Sequence, residues 1–281
     1  MKFAFFGTSH FSKIILEKLK EGGLVPSLII TTPDKPKGRG LKLTESEVKI
    51  WAKENGIEVL QPEKLDGSFI LRLSSCACDI FIVASYGKII PKEILELPKY
   101  KSINVHPSLL PRYRGASPLQ GQILNDEKEI GTTIMLMDEK MDHGPILDQT
   151  LVNIEMPLPY HALEEKLAEA SAELLVKVLP AYINGQILPQ EQDHDQATFC
   201  KMIKKEDGLL DMSADPYKNY LKFLAFGEWP GVYYFQNIKD KDARIKITEA
   251  EFENEQFVIK RVIPEGRKEM NYENFVRGLK T

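Results

Sequence analysis

Long apolar runs are missing from this 281-residue chain. A membrane-spanning helix needs about 20 consecutive apolar residues, so a transmembrane helix is excluded. Cysteine is scarce: Cys76, Cys78 and Cys200 are odd in number and lack zinc-site or redox spacing, which excludes a disulfide framework. A reduced, cytoplasmic protein is expected. The first residues, MKFAFFGTSHF, lack the apolar core of a signal peptide and read better as a buried strand. Dinucleotide binding loses its fingerprint: after Gly7, Ser9 and Ser12 stand where G-x-G-x-x-G requires glycine. A strong positive balance is also missing. With a net charge of −4, any contact with nucleic acid must come from local basic patches rather than the global field. Metal-ligand spacing is absent too, so no metal is expected.

What the chain does have is an ordinary globular composition, 43% hydrophobic and 28% charged, with a length suited to two domains. Residues 2–6 read as a strand, Gly7 as its turn and 11–19 as a helix with Ser9 as N-cap. Residues 27–31 follow as a second strand, which makes a parallel βαβ opening. Helices are expected at 45–55 and around 69–73, with a short strand at 57–60. The continuous apolar run 79–84 suits a strand covered on both faces. Residues 117–124 read as a helix, 131–137 as a strand, 152–155 as the close of the sheet and 163–178 as a long amphipathic helix. The polar run 183–205 reads as a linker. After a helix at 217–226 come short alternating segments, 232–235, 244–248 and 256–261, which suggest a small OB-like barrel. The expected architecture is α/β: a Rossmann-like, mostly parallel sheet over 1–182, a linker over 183–205, and a small OB-like domain over 206–281.

The stretch around which these elements are organised is SINVHPSLLPRYRG, residues 102–115. Ile103 and Val105 mark a strand, so Asn104 and His106 share its other face, and Pro107 ends the strand at His106. An amide and an imidazole thus stand together at the C-terminal end of a strand, where open α/β sheets bind ligands. An Asn N–H can stabilise the oxyanion of a tetrahedral intermediate, and a His can move protons near neutral pH. That combination suits acyl or formyl transfer. The plainer alternative is a turn-capping Asn and a pocket-filling His.

Residues 33–42, PDKPKGRGLK, carry four basic residues against one acidic. They read either as a solvated loop or as a basic finger for RNA phosphate, through Lys35, Lys37, Arg39 and Lys42. Lys201, Lys204 and Lys205 form a second basic cluster, equally readable as a solvated face.

The motif NVHPSLLPRYRGASP resembles the signature of the folate-dependent formyltransferases, most closely those that act on methionyl-tRNA. The Met-rich passage TTIMLMDEKMDHG, residues 132–144, resembles the place where that family carries a third catalytic member, an Asp. Composition alone gives no reason to choose among the acids there; the resemblance chooses Asp142. It implies Asn104, His106 and Asp142 as the catalytic trio, with the Asp142 carboxylate hydrogen-bonded to His106 and fixing its tautomer. It also implies folate contacts at Ser108, Leu109, Leu110 and Pro111, and at Tyr86, Gly87 and Ile89 of the segment SYGKIIP. The formyl donor implied is 10-formyltetrahydrofolate and the acceptor initiator methionyl-tRNA, met by the 33–42 loop and by Lys204 and Lys205. No protein partner is implied. The rival readings are formylation of an amino-sugar nucleotide and a non-catalytic RNA-binding protein on the same fold.

Overall fold

The computed structural model describes residues 1–37, 42–238 and 240–279, leaving the side chains of Lys37 and Lys42 undescribed. Arg39 lies outside the described residues. The elements in order are β1 (Phe3–Gly7), α1 (His10–Glu21), β2 (Leu28–Ile30), β3 (Lys35–Lys37), β4 (Lys42–Thr44), α2 (Glu47–Glu54) and β5 (Val59–Leu60). Then come α3 (Gly67–Ser74), β6 (Ile80–Ala84), α4 (Lys92–Leu95), β7 (Ser102–His106), β8 (Arg114–Gly115) and α5 (Pro118–Leu124). They are followed by β9 (Gly131–Leu136), β10 (Ile146–Leu151), α6 (Tyr160–Ile183), β11 (Phe199–Cys200) and α7 (Pro216–Phe226). The chain ends with β12 (Val232–Ile238), β13 (Lys241–Glu253), β14 (Gln256–Pro264), β15 (Met270–Asn271) and α8 (Tyr272–Arg277). Contacts divide it into two compact units, one of residues 1–115, 129–153 and 164–199, the other of 116–128, 154–163 and 200–281.

The first unit is built on a seven-stranded sheet in the order β10-β9-β7-β6-β1-β2-β5. Strands β5, β2, β1, β6 and β7 run parallel, while β9 and β10 are antiparallel to their neighbours. The chain leaves β1 in one direction towards β2 and returns on its other side to β6 and β7. This reversal is the topological switch point at which such sheets bind ligands. The central strands read as unbroken apolar runs because both faces are covered: Phe3, Phe5, Phe6, Ile80 and Ile82 are all buried.

Tight joints place the loops at that edge. Gly7 lets α1 approach β1, since a Cβ there would lie 2.6 Å from the Phe5 ring and 2.7 Å from Ser12 Cβ. Ser12 Oγ then donates to the Ala84 carbonyl at 2.6 Å and Thr8 Oγ1 to the Tyr86 carbonyl at 3.0 Å, which ties the first turn to the loop after β6. Ser9 stands at the N-cap of α1, but its hydroxyl makes no capping bond and faces Ser12 Oγ at 3.4 Å.

Three sequence expectations change here. The loop expected over 33–42 is flanked by a strand pair: β3, residues 35–37, pairs with β4, residues 42–44, Lys35 opposite Thr44. Its base is anchored where Asp34 meets Lys49 Nζ at 2.6 Å and Gln61 Nε2 at 2.7 Å. The sheet closes on β10, residues 146–151, rather than at 152–155. As an edge strand carrying Asp148 and Gln149 it lacks an apolar signature. The C-terminal strands are longer than their apolar cores suggested, β13 running 13 residues.

In the second unit, Asp215 caps α7 by accepting from the backbone N–H groups of Tyr217 at 2.8 Å and Lys218 at 3.2 Å, with Pro216 at its first turn. The helix buries Leu221, Leu224, Ala225 and Phe226 against the antiparallel sheet β12-β13-β14-β15. Phe252 of β13 stacks on Tyr220, ring centroids 5.7 Å apart, and meets Tyr217 edge-on at 5.0 Å. Among the described residues this small β-domain is a meander whose first and last strands are not paired to each other.

Candidate active site

Strand β7 delivers Asn104 and His106 to the sheet edge as the alternation requires, Asn104 opposite Met135 and His106 opposite Thr133 of β9. Asn104 is half-buried, whereas His106 is only 4% exposed. Asp142 sits in the loop between β9 and β10 with φ of 49°, a left-handed conformation that costs a non-glycine residue of order 1 kcal/mol. Its carboxylate is held on both oxygens: Oδ2 accepts from the Gly115 N–H at 2.8 Å and Oδ1 from Asn104 Nδ2 at 3.2 Å. The three residues therefore meet.

The link between Asp142 and His106 differs from the expected hydrogen bond. Oδ1 lies 3.7 Å from His106 Nδ1, beyond hydrogen-bond reach but close enough for a direct charge interaction. The tautomer is set from the opposite side of the ring. His106 Nε2 is 3.0 Å from the Tyr113 carbonyl oxygen, which can only accept, so Nε2 carries the proton. The neutral ring then presents a lone pair at Nδ1, towards Asp142. Tyr113 aims that carbonyl from a left-handed backbone, φ 61°, and its own N–H donates to Thr198 Oγ1 at 2.8 Å.

The residues expected to contact folate divide into two kinds. Ser108 and Leu110 are buried. The Ser108 hydroxyl is used on the Arg112 carbonyl at 2.7 Å, and the Leu110 N–H donates to Thr133 Oγ1 at 3.1 Å. Gln149 Nε2 donates to the Leu110 carbonyl at 2.9 Å. Leu109 and Pro111 are half-buried in this turn, so the segment is a braced wall beside the trio. Tyr86 turns its ring into the core against Phe6 and Phe81, 5.4 Å edge-on from Phe6. There burial pushes its phenol up to about 12, and among the described residues its hydroxyl finds no partner. The corner opens one residue later. Gly87 has φ of 80° with nothing within 4 Å of a Cβ position, and Ile89 is 85% exposed. An exposed apolar side chain and an open turn thus follow β6, one strand from Asn104.

Lys35 is exposed on β3 in the first unit, and Lys204 and Lys205 are exposed in the second. Lys37 and Lys42 belong to β3 and β4 by backbone only. His143, the neighbour of Asp142, is engaged elsewhere: its Nδ1 is 2.6 Å from Asp138 Oδ2 and its ring stacks on His194 at 4.1 Å. Sequence reasoning missed the Tyr113 carbonyl and Gly115 N–H, which are backbone groups that no residue letter announces. It also missed Gln192 and His194, hidden in a stretch with no periodicity.

An amide donor, an imidazole and a carboxylate thus meet at the C-terminal end of β7, one strand from the switch point between β1 and β6, an arrangement suited to group transfer. The comparisons agree. A family model described as formyl transferase matches residues 1–179. A methionyl-tRNA formyltransferase of Thermotoga neapolitana is 43% identical over 243 residues, covering 85% of this chain and 77% of that protein. One of Dictyoglomus thermophilum is 38% identical over 307 residues, covering 99% and 97%. Among solved structures, a methionyl-tRNA formyltransferase from Clostridium thermocellum superposes with a TM-score of 0.62 at 16% identity, covering 94% of this chain and 98% of that one. An N-formyltransferase from Helicobacter canadensis, in complex with folinic acid and dTDP-3-aminofucose, gives 0.64 at 20% identity, covering 90% and 88%. The chain belongs to the formyl transferase family, among its methionyl-tRNA formyltransferases. Among the described residues no helix is long and apolar enough to cross a membrane.

Proposed function

We propose that the protein transfers the formyl group of 10-formyltetrahydrofolate to the α-amine of initiator methionyl-tRNA, in the cytoplasm, to prepare it for translation initiation. The observation that carries this reading is the convergence of Asn104, His106 and Asp142 on one point, with the His106 tautomer fixed by Tyr113. Residues 1–182 carry the chemistry, and 206–281, reached through 183–205, supply surface for the RNA.

Each residue has a distinct role. Asn104 Nδ2 has one N–H on Asp142, and its second N–H donates to the formyl oxygen as negative charge develops there. The attacking α-amine, whose free pKa is about 8, needs no strong base. His106 takes the amine's proton on Nδ1 and returns it to the departing folate nitrogen. While that proton is on the ring, Asp142 at 3.7 Å stabilises the imidazolium and the Tyr113 carbonyl keeps the ring from turning. The exposed Ile89 and the backbone around Gly87 hold the pterin face, and the Ser108–Pro111 turn forms the facing wall. Lys35, Lys37, Arg39 and Lys42 meet the acceptor's phosphates, with Lys204 and Lys205 as further contacts.

Transfer of labelled formyl from 10-formyltetrahydrofolate by wild type, Asn104→Ala and His106→Ala tests the trio. Both variants are expected to lose about 10²-fold or more in kcat while unfolding at nearly the wild-type temperature. Unchanged turnover in either variant removes that residue from the mechanism.

A further inference from the structure

The segment between α6 and β11 reads as a polar linker, yet it places one fully engaged amide inside the site's supporting structure. Gln192 is 5% exposed. Its Nε2 donates to the carbonyl oxygens of Asp142 at 3.0 Å and Gly144 at 2.7 Å. Its Oε1 accepts from Arg114 at Nε, 3.1 Å, and at Nη2, 2.5 Å. Both donors and both acceptor positions of one side chain are thus used, and they bridge two backbone segments.

Those segments are the ones that touch the trio. Arg114 lies between Tyr113, whose carbonyl holds His106 Nε2, and Gly115, whose N–H holds Asp142 Oδ2. Asp142 and Gly144 belong to the loop that delivers the carboxylate. That loop is held tightly at Gly144, where a Cβ would collide with the Leu136 carbonyl oxygen. Asp142 keeps its left-handed backbone inside it. Arg114 is a buried cation, 3% exposed, and burial pulls its guanidinium below its ordinary value while Asp142 and Asp138 oppose the shift. Among the described residues the guanidinium's hydrogen-bond partners are Gln192 and His194 Nδ1, the latter at 2.9 Å, and no carboxylate lies within ion-pair distance. A buried guanidinium without a carboxylate partner is a costly arrangement. Its position makes sense when the cation fixes the orientation of the amide.

We propose that Gln192 is a positioning residue: held by Arg114, it clamps the Asp142 loop so that the carboxylate stays against Asn104 and His106. Gln192 and Arg114 act through Asp142 and touch neither substrate. The inference rests on the catalytic reading of Asp142 given above. Without the clamp, the strained Asp142 backbone relaxes, the carboxylate moves away from Nδ1, and the imidazolium loses its support.

Two substitutions separate positioning from plain structural support. Gln192→Met keeps the volume and removes all four hydrogen bonds without adding charge. Gln192→Glu keeps a partner for Arg114, and a charged one, but loses both donors to the loop carbonyls. The clamp predicts that Gln192→Met loses both thermal stability and kcat. It predicts that Gln192→Glu, whose carboxylate pairs with Arg114 but sets an oxygen against the two loop carbonyls, regains part of the thermal midpoint lost in Gln192→Met while kcat stays down about tenfold or more, roughly one hydrogen bond's worth of barrier. KM for donor and acceptor should change by less than about threefold in both, since no binding group is lost. A merely structural role makes kcat follow stability, so a folded Gln192→Glu with wild-type kcat overturns the proposal. A second readout needs no turnover: the ring-nitrogen NMR signals of His106 at one fixed pH. In Gln192→Met these signals should shift as the Asp142 carboxylate leaves the ring, and unchanged signals also overturn the clamp. Should wild type fail to transfer formyl while these signals shift in the variant, the clamp stands and the substrate reading falls.

Discussion

Asp142→Asn is the substitution whose consequence can be worked furthest from the structure. It keeps the side-chain shape and removes one charge that lies 3.7 Å from His106 Nδ1, with side chains 14% and 5% exposed. At that spacing and an effective dielectric of about 20, the charge stabilises an imidazolium by about 4 kcal/mol. An amide dipole and local relaxation recover part of this, so a loss of about 2–3 kcal/mol is expected in the proton-carrying step. That corresponds to about 10²-fold in kcat. The amide also has only one acceptor. It can receive either the Gly115 N–H or Asn104 Nδ2, and the other contact becomes donor against donor. A stability loss of about 1–2 kcal/mol is the expected cost of that mismatch. Single-turnover formyl transfer, read beside a denaturant titration, measures both effects. Wild-type turnover from a folded Asp142→Asn protein would refute the electrostatic role, whatever happened to stability.

Other contacts give further expected outcomes. Thr198→Val removes the hydroxyl that accepts the Tyr113 N–H; a stability loss of about 1 kcal/mol and a smaller kcat are expected, checked by denaturation and steady-state kinetics. Gly144→Ala forces a methyl against the Leu136 carbonyl oxygen and should cost about 1–3 kcal/mol or prevent folding, whereas wild-type stability would mean that the loop can yield. His10 is raised above its ordinary value chiefly by its hydrogen bond to Glu47, partly offset by burial. The stabilisation it gives is complete below the unfolded pKa of about 6.5 and disappears as pH rises through the higher folded value. Since both side chains are more than a third exposed, the effect should be only a few tenths of a kcal/mol. It should vanish in Glu47→Gln when stability is compared at about pH 5.5 and about pH 8.5. Arg39→Ala should weaken use of tRNA while leaving folate binding intact, measured as separate KM values; equal loss of both would assign the loop a structural role.

The sequence made β7 and its two functional side chains readable because alternation and Pro107 together fix where the strand ends and which face Asn104 and His106 share. The buried strands around β1 and β6 were readable as apolar runs for the same physical reason, since both faces are covered. Asp142 was different. Three acids stand between residues 138 and 142, and only the resemblance to a family selected one; the structure supplies the reason in the Gly115 N–H and the Asn104 amide. The fixing of the His106 ring by the Tyr113 carbonyl could not be read, because a backbone carbonyl has no identity until the chain's left-handed turn aims it. Gln192 was hidden for a related reason: its partners are two carbonyls and a guanidinium far away in sequence. Strand β10 was missed because an edge strand tolerates polar residues on its open side. The Tyr86 ring illustrates the converse: the resemblance placed it in a pocket segment, and the fold turns it into the core.

The most direct test of the account is formyl transfer from 10-formyltetrahydrofolate to charged initiator tRNA, run beside an amino-sugar nucleotide as competing acceptor. The account predicts label on methionyl-tRNA alone, lost in His106→Ala. Label only on the sugar nucleotide would leave the catalytic trio in place and contradict the assigned acceptor.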